Sequence, residues 1–322
     1  MTEPSVFTSR QGRIGHILLN RPRTLNALDL GMIRAIADAL AAWAPAPEVH
    51  AVVIEGAGER AFCAGGDIRT VRDAALAGDA AVITDFFTEE YALNLAIARF
   101  PKPYVSLIDG FCMGGGIGVS VHGQIRVASE AAQFAMPETA IGLFPDVGAT
   151  YVLPRLPGRL GLYLGLTGTR LAGADAVHAG IATHLVPRAA LADLRVALAR
   201  DGVAAVAGAA QTLPAFSLAP HLEAIDRCFG AASYDGVVAA LAAEGTEWAQ
   251  TTLGSLSHMS PSSLRWSFEI ISEGAHRTLD ACLAAELALV QRVTRHPDFA
   301  EGVRAMVVDK DRTPQWGPVS PA

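Results

Sequence analysis

The sequence predicts an α/β fold with mostly parallel strands, and three observations carry that prediction. Short β-branched or apolar runs alternate with stretches of helical apolar spacing through roughly residue 190. The links between them are short and often built around glycine. Beyond about residue 190 strand-like runs cease and only helical patterns remain.

Taken in order, "RIGHILLN" (13–20) reads as a buried strand that stops at "RPRTLNAL", where Pro22 and Asn26 mark a turn. Met32, Ile33, Ile36, Leu40 and Trp43 then recur at helical spacing, and the helix over 28–43 ends before Pro45 and Pro47. "AVVIEG" (51–56) is a strand, 78–99 a helix and "YVSLIDG" (104–110) a strand. The glycines of "CMGGGIG" lead into 117–122, and "QIRVAS" (124–129) is a strand again. Next come helical stretches over 189–210, 235–256, 262–272 and 277–295, with a Pro/Ser break at 212–221. The tail "DKDRTPQWGPVSPA" is Pro-rich and expected to be extended. A soft boundary near 200 would divide the chain into a core over 1–200 and a helical region over 201–322.

The 322 residues suffice for a substantial core, and 51% hydrophobic against 18% charged residues speaks against disorder. A net charge of −7 and the absence of any Lys/Arg run argue against a nucleic-acid partner. Cys63, Cys112, Cys228 and Cys282 show no metal-ligand or redox spacing, so buried free thiols of a reducing compartment are expected, with no metal site. The polar start "MTEPSVFTSRQG" lacks a secretory pattern. The long apolar run 103–123 contains Asp109, His122 and six glycines. No membrane association is therefore expected, and the location is read as cytoplasmic.

Two glycine clusters, "CAGGDI" (63–68) and "MGGGIG" (113–118), each follow a strand. Neither fits the Walker or dinucleotide fingerprints, so a nucleotide cradle is poorly supported. The freed backbone N–H groups can instead hold a developing oxyanion, or the glycines can simply allow tight helix–strand packing. Glu138 and Asp146 lie eight residues apart in "MPETAIGLFPDVGA". A surface turn would account for them, since Asp after Pro is ordinary turn chemistry. His16, His122 and His184 sit in or beside apolar runs and read as structural.

"LNRPRTLNAL" (19–28), "AFCAGGDI" (61–68), "GFCMGGGIG" (110–118) and "PETAIGLFPD" (137–146) resemble, in order and spacing, the enoyl-CoA hydratase/isomerase (crotonase) superfamily. Further segments, "LTGTRLAGADAVHAGIATHLV" (166–186), "EGTEWAQ" (244–250), "MSPSSL" (259–264) and "DFAEGVRAMVVDKDRTPQW" (298–316), are similar to its hydrolase branch, which cleaves short 3-hydroxyacyl-CoA thioesters.

The resemblance implies a crotonase-like spiral of β-β-α units with a helical C-terminal region, and an acyl-CoA substrate with no separate cofactor. It places an oxyanion hole on Ala64 and Gly115 and the catalytic carboxylates on Glu138 and Asp146. Of the two glutamates with which the hydratases handle water, the first corresponds to Gly118 and is missing; the second is Glu138. Glu90 coincides with a substrate-contacting glutamate, Gly66, Gly114 and Asp67 fall beside the substrate, and Asp67 also suits a helix N-cap. Arg21, Arg23 and Arg69, with Lys310 more remote, are candidates for the CoA phosphates. The expected reaction is hydrolysis of 3-hydroxyisobutyryl-CoA or a close analogue such as 3-hydroxypropionyl-CoA. The competing readings are an enoyl-CoA hydratase/isomerase and a non-catalytic acyl-CoA-binding protein, and a homo-oligomer, trimer or dimer, is possible by the superfamily's habit.

Overall fold

The computed structural model describes residues 3–319. Its chain forms two compact units that interleave along the sequence. The first takes the chain up to Gly66, Glu89–Phe134 and Leu171–Phe216; the second takes Asp67–Thr88, Ala135–Arg170 and the chain from Ser217. This differs from the serial division expected at residue 200. Early segments belong with late helices because of what they pack on: Arg72 donates from Nε to the Ala300 carbonyl at 2.9 Å.

Among the described residues the strands lie in the first unit, except that β8 ends on Ala135 of the second. A six-stranded sheet has the order β1-β2-β3-β5-β7-β10, formed by Val6–Gln11, Ile14–Leu19, Ala51–Gly56, Tyr104–Ile108, Ile125–Ala128 and His184–Leu185. β1 and β2 are antiparallel, and every later pairing in this sheet is parallel. A four-stranded sheet joins β4 (Ala61–Cys63), β6 (Phe111–Met113), β8 (Gln133–Ala135) and β9 (Leu171–Ala172). β2, β3 and β5 are apolar and almost wholly buried, as parallel strands covered on both faces should be. β1 escaped the sequence reading because its middle residues face solvent and leave no apolar run.

Helix α1 (Leu30–Trp43) starts where Asp29 accepts the Met32 N–H at its N-cap, and buries Met32, Ile33, Ile36, Ala39 and Leu40. Each large side chain of that stripe contributes about 1.5–3 kcal/mol by leaving water. Buried Ile14, Val53, Val105, Leu107 and Val127 form a core with Leu194 and Leu198 of the helix Leu191–Asp201.

The second unit is helical. α2 (Ile68–Ala77) and the start of α3 (Ala80–Ala98) belong to it, followed by short turns over 138–155 and a run of helices from Leu222 onward. The expected helix 235–256 is two helices, because Gly245 turns left-handed (φ 63°) and Thr246 caps the second. The tail carries no helix or strand beyond Val308; its last three residues, like Met1 and Thr2, lie outside the described residues. Among the described residues no helix is long and apolar enough to cross a membrane, and all four cysteines are buried free thiols.

Candidate active site

In the first unit, β4 and β6 run side by side with Cys63 opposite Cys112, so the glycine loops that follow them leave the sheet as neighbours. Gly65 (φ 115°) and Gly114 (φ 48°) adopt backbone conformations that L side chains rarely reach. Helix α4 (Gly115–Val121) begins at once, and the N–H groups of its first turn have no intrahelical acceptor.

The two loops approach closely. A Cβ added to Gly115 would sit 3.1 Å from the Gly66 nitrogen and 2.6 Å from Oε1 of Glu90, and one on Gly116 would meet the Cys63 carbonyl at 2.3 Å. The Ala64 N–H, expected to serve the hole, instead donates to the Leu25 carbonyl at 3.0 Å. That bond ties β4 to the loop before α1 and occupies the Ala64 N–H. Among the described residues the N–H groups of Gly66 and Gly115 donate to no protein acceptor, and these form the candidate pair.

Glu90 and Glu89 separate as one step along a helix requires. Glu89 faces outward and takes two hydrogen bonds from Arg34, 2.7 and 2.6 Å, which hold its carboxyl below the usual range. Glu90 is 2% exposed and reaches the glycine loops. Burial pushes the Cys63 thiol up to about 12, with the Glu90 charge adding to the effect. One turn on, Asn94 is fully buried, with neither its amide nitrogen nor its oxygen hydrogen-bonded within the protein.

Other expected residues fall less favourably. Asp67 occupies the N-cap position of α2, but its side chain makes no cap hydrogen bond; its carbonyl accepts from Thr70 instead. Arg21 donates to the Ala27 carbonyl at 2.7 Å and lies 3.4 Å from Asp29, so its guanidinium is engaged locally. Arg23 and Arg69 are exposed. His16 bridges Gln11 and Glu55, and His184 bonds Thr183, both structural roles. No cluster of three His, Cys, Asp or Glu suited to a metal occurs among the described residues.

In the second unit, Glu138 and Asp146 are 5% and 4% exposed, which excludes the solvated surface turn. Glu138 opens the one-turn helix Glu138–Ile141, whose end is closed by Gly142 and Leu143 donating to its carbonyl. The turn is fastened from outside: Thr139 donates to the Leu166 carbonyl and accepts from the Ser260 N–H. Gly142 packs directly on Asp298, leaving no room for a Cβ. Asp298 is itself wholly buried; it accepts from the Ser260 hydroxyl at 2.5 Å and from the Gly317 N–H at 2.7 Å, tying the tail to this corner.

Asp146 stands between Pro145 and Val147. Val147 has a left-handed φ of 53° and Gly148 one of 81°. For a β-branched residue that conformation costs about 1–3 kcal/mol and needs support. The support comes from Glu286, on the helix Leu279–Val293. Its Oε2 accepts the Gly148 N–H at 2.8 Å, while Oε1 accepts the Thr150 N–H at 3.1 Å and hydroxyl at 2.5 Å. The Ser263 hydroxyl also donates to the Leu143 carbonyl. Glu286 went unnoticed in the sequence because it sits on an ordinary amphipathic helix, 140 residues from Asp146.

The enoyl-CoA hydratase/isomerase family model matches residues 14–322. The chain belongs to this family. It is 50% identical to the 3-hydroxyisobutyryl-CoA hydrolase, mitochondrial, of Xenopus tropicalis, over 96% of this chain and 83% of that protein. The Homo sapiens protein of the same name is 46% identical over 97% and 84%. Among solved structures, a carnitinyl-CoA dehydratase from Mycobacterium thermoresistibile superposes with a TM-score of 0.95 at 40% identity, covering 99% of this chain and 93% of that one. An enoyl-CoA hydratase from Rhodobacter sphaeroides 2.4.1 gives 0.93 at 42% identity, covering 99% and 94%. The crotonase fold is thereby established.

Proposed function

We propose that this family member hydrolyses 3-hydroxyisobutyryl-CoA to 3-hydroxyisobutyrate and CoA, a step of valine degradation. The observation that carries the reading is a pair of buried carboxylates, Glu138 and Asp146, on one clamped segment, in a chain with Gly118 at the hydratases' first glutamate position. Adding water across a double bond calls for two acids around that water, whereas cleaving a thioester needs one oxygen nucleophile and one proton carrier. The 46–50% identity to proteins named for this hydrolysis supports the same reaction.

In the mechanism proposed, the N–H groups of Gly66 and Gly115 take the charge developing on the thioester oxygen. Glu138 attacks the carbonyl carbon, and collapse of the tetrahedral oxyanion expels CoA thiolate and leaves a mixed anhydride; water then cleaves it, releasing the acid and restoring Glu138. The same carboxylate serves as general base if water attacks first. Asp146 orients the substrate hydroxyl or the water and carries the proton to the leaving sulfur. Glu90 binds the 3-hydroxyl, and a bonded hydroxyl of that kind discriminates strongly against analogues lacking it. Arg23 and Arg69 are proposed for the CoA phosphates. The buried thiols suit a reducing compartment, proposed as the cytoplasm, while the named relatives are mitochondrial.

The two superposed proteins, a carnitinyl-CoA dehydratase and an enoyl-CoA hydratase, favour a hydratase or dehydratase as the second reading. Incubation with 3-hydroxyisobutyryl-CoA and with crotonyl-CoA decides between them. A thiol reagent detecting free CoA from the first substrate supports hydrolysis; loss of enoyl absorbance from the second without CoA release overturns it.

A further inference from the structure

The acids of the second unit differ in how they are held. Asp146 lies beside a left-handed valine, and the Ala149 N–H closes that turn by donating to the Asp146 carbonyl. Glu286 adds support from another element by accepting the Gly148 N–H and both donors of Thr150. These three bonds bracket Ala149 and fix the backbone immediately after Asp146. On the other side Pro145 restricts the chain by its ring. With both flanks fixed, the backbone sets the point and the Cα–Cβ direction from which the Asp146 side chain starts.

We propose that Glu286 is a positioning residue for hydrolysis: its carboxyl locks the Val147–Gly148 turn and thereby sets the reactive orientation of Asp146. This rests on the reading of Asp146 as a working acid. A wholly buried carboxyl is a costly way to satisfy two N–H groups if shape alone matters, since a neutral amide or a water would also serve. Its two oxygens accept all three donors at once, which an amide, with one acceptor oxygen, does not. The acids also sense each other, because the Asp146 charge is among the causes that push Glu286 up to about 8, after burial.

The test is a double-mutant cycle on the full chain, with kcat and KM for 3-hydroxyisobutyryl-CoA as readouts. Glu286→Gln is expected to lower kcat about 10- to 100-fold with KM within about threefold, the scale of a displaced catalytic group. In the Asp146→Asn background the same change should alter kcat less than about threefold, since there is no acid left to position. An equal loss in both backgrounds, or unchanged kcat in folded Glu286→Gln, overturns the positioning role alone. Wild-type turnover by Asp146→Asn overturns the reading of Asp146, and the role of Glu286 with it.

If Glu286→Gln does not fold, Thr150→Val removes one of the three donors and keeps the rest. It should lower kcat several-fold, with Thr150→Ser restoring the rate; a folded Thr150→Val at wild-type kcat overturns the proposal.

Discussion

The two candidate halves of the chemistry are built on opposite principles. In the first unit the donors are main-chain N–H groups exposed by the absence of side chains: Gly65 and Gly114 take backbone shapes that a Cβ would penalise, and Gly115 and Gly116 leave no space for one. In the second unit the candidate groups are side chains, Glu138 and Asp146, on a segment held by other buried polar side chains: Thr139, Ser263, Glu286 and Asp298. The first half tolerates almost no substitution but needs little support. The second is substitutable in principle, yet every acid in it depends on partners far away in sequence.

The comparison can be broken most sharply at Glu138. Glu138→Gln should cut kcat at least about 1,000-fold, or about 4 kcal/mol of barrier, with the circular-dichroism spectrum unchanged. Retained turnover would remove the side-chain half. Gly115→Ala keeps the N–H, but its Cβ would crowd the Gly66 nitrogen and Glu90; the displaced donors should cost about 100- to 1,000-fold in kcat, the scale of a lost oxyanion donor. A folded variant at wild-type kcat would count against Gly66 and Gly115 as the oxyanion donors.

Smaller effects sharpen the contrast. Glu90→Gln should lower the preference, in kcat/KM, for 3-hydroxyisobutyryl-CoA over isobutyryl-CoA by about tenfold or more. The last prediction concerns pH. Glu286 is held near 8 against an ordinary carboxylate value of 4.5, so the folded protein favours its protonated form. Its contribution to stability is fully present below 4.5 and is lost as pH rises through about 8. The melting-temperature gap between wild type and Glu286→Gln should therefore be largest near pH 4.5 and shrink by about pH 9. A gap that widens with pH would contradict the burial of that acid.

The sequence displayed the alternation of strands and helices clearly, because parallel strands buried on both faces read as continuous apolar runs. It also marked both glycine loops and both acids. It could not show that the Ala64 N–H, expected to serve the hole, is captured by the Leu25 carbonyl, a contact between loops that no local pattern encodes. The interleaved units were hidden for a similar reason, since Arg72 finds its acceptor at Ala300. Asp67 sits at a cap position without capping, a reminder that residue type and place do not guarantee the hydrogen bond.

The link from Gly317 through Asp298 to Gly142 has a practical side. Anyone fusing an affinity handle near that end, or trimming it to aid crystallisation, would be pulling on the corner that holds Glu138. Recombinant preparations differing only in their last dozen residues are thus expected to differ in specific activity.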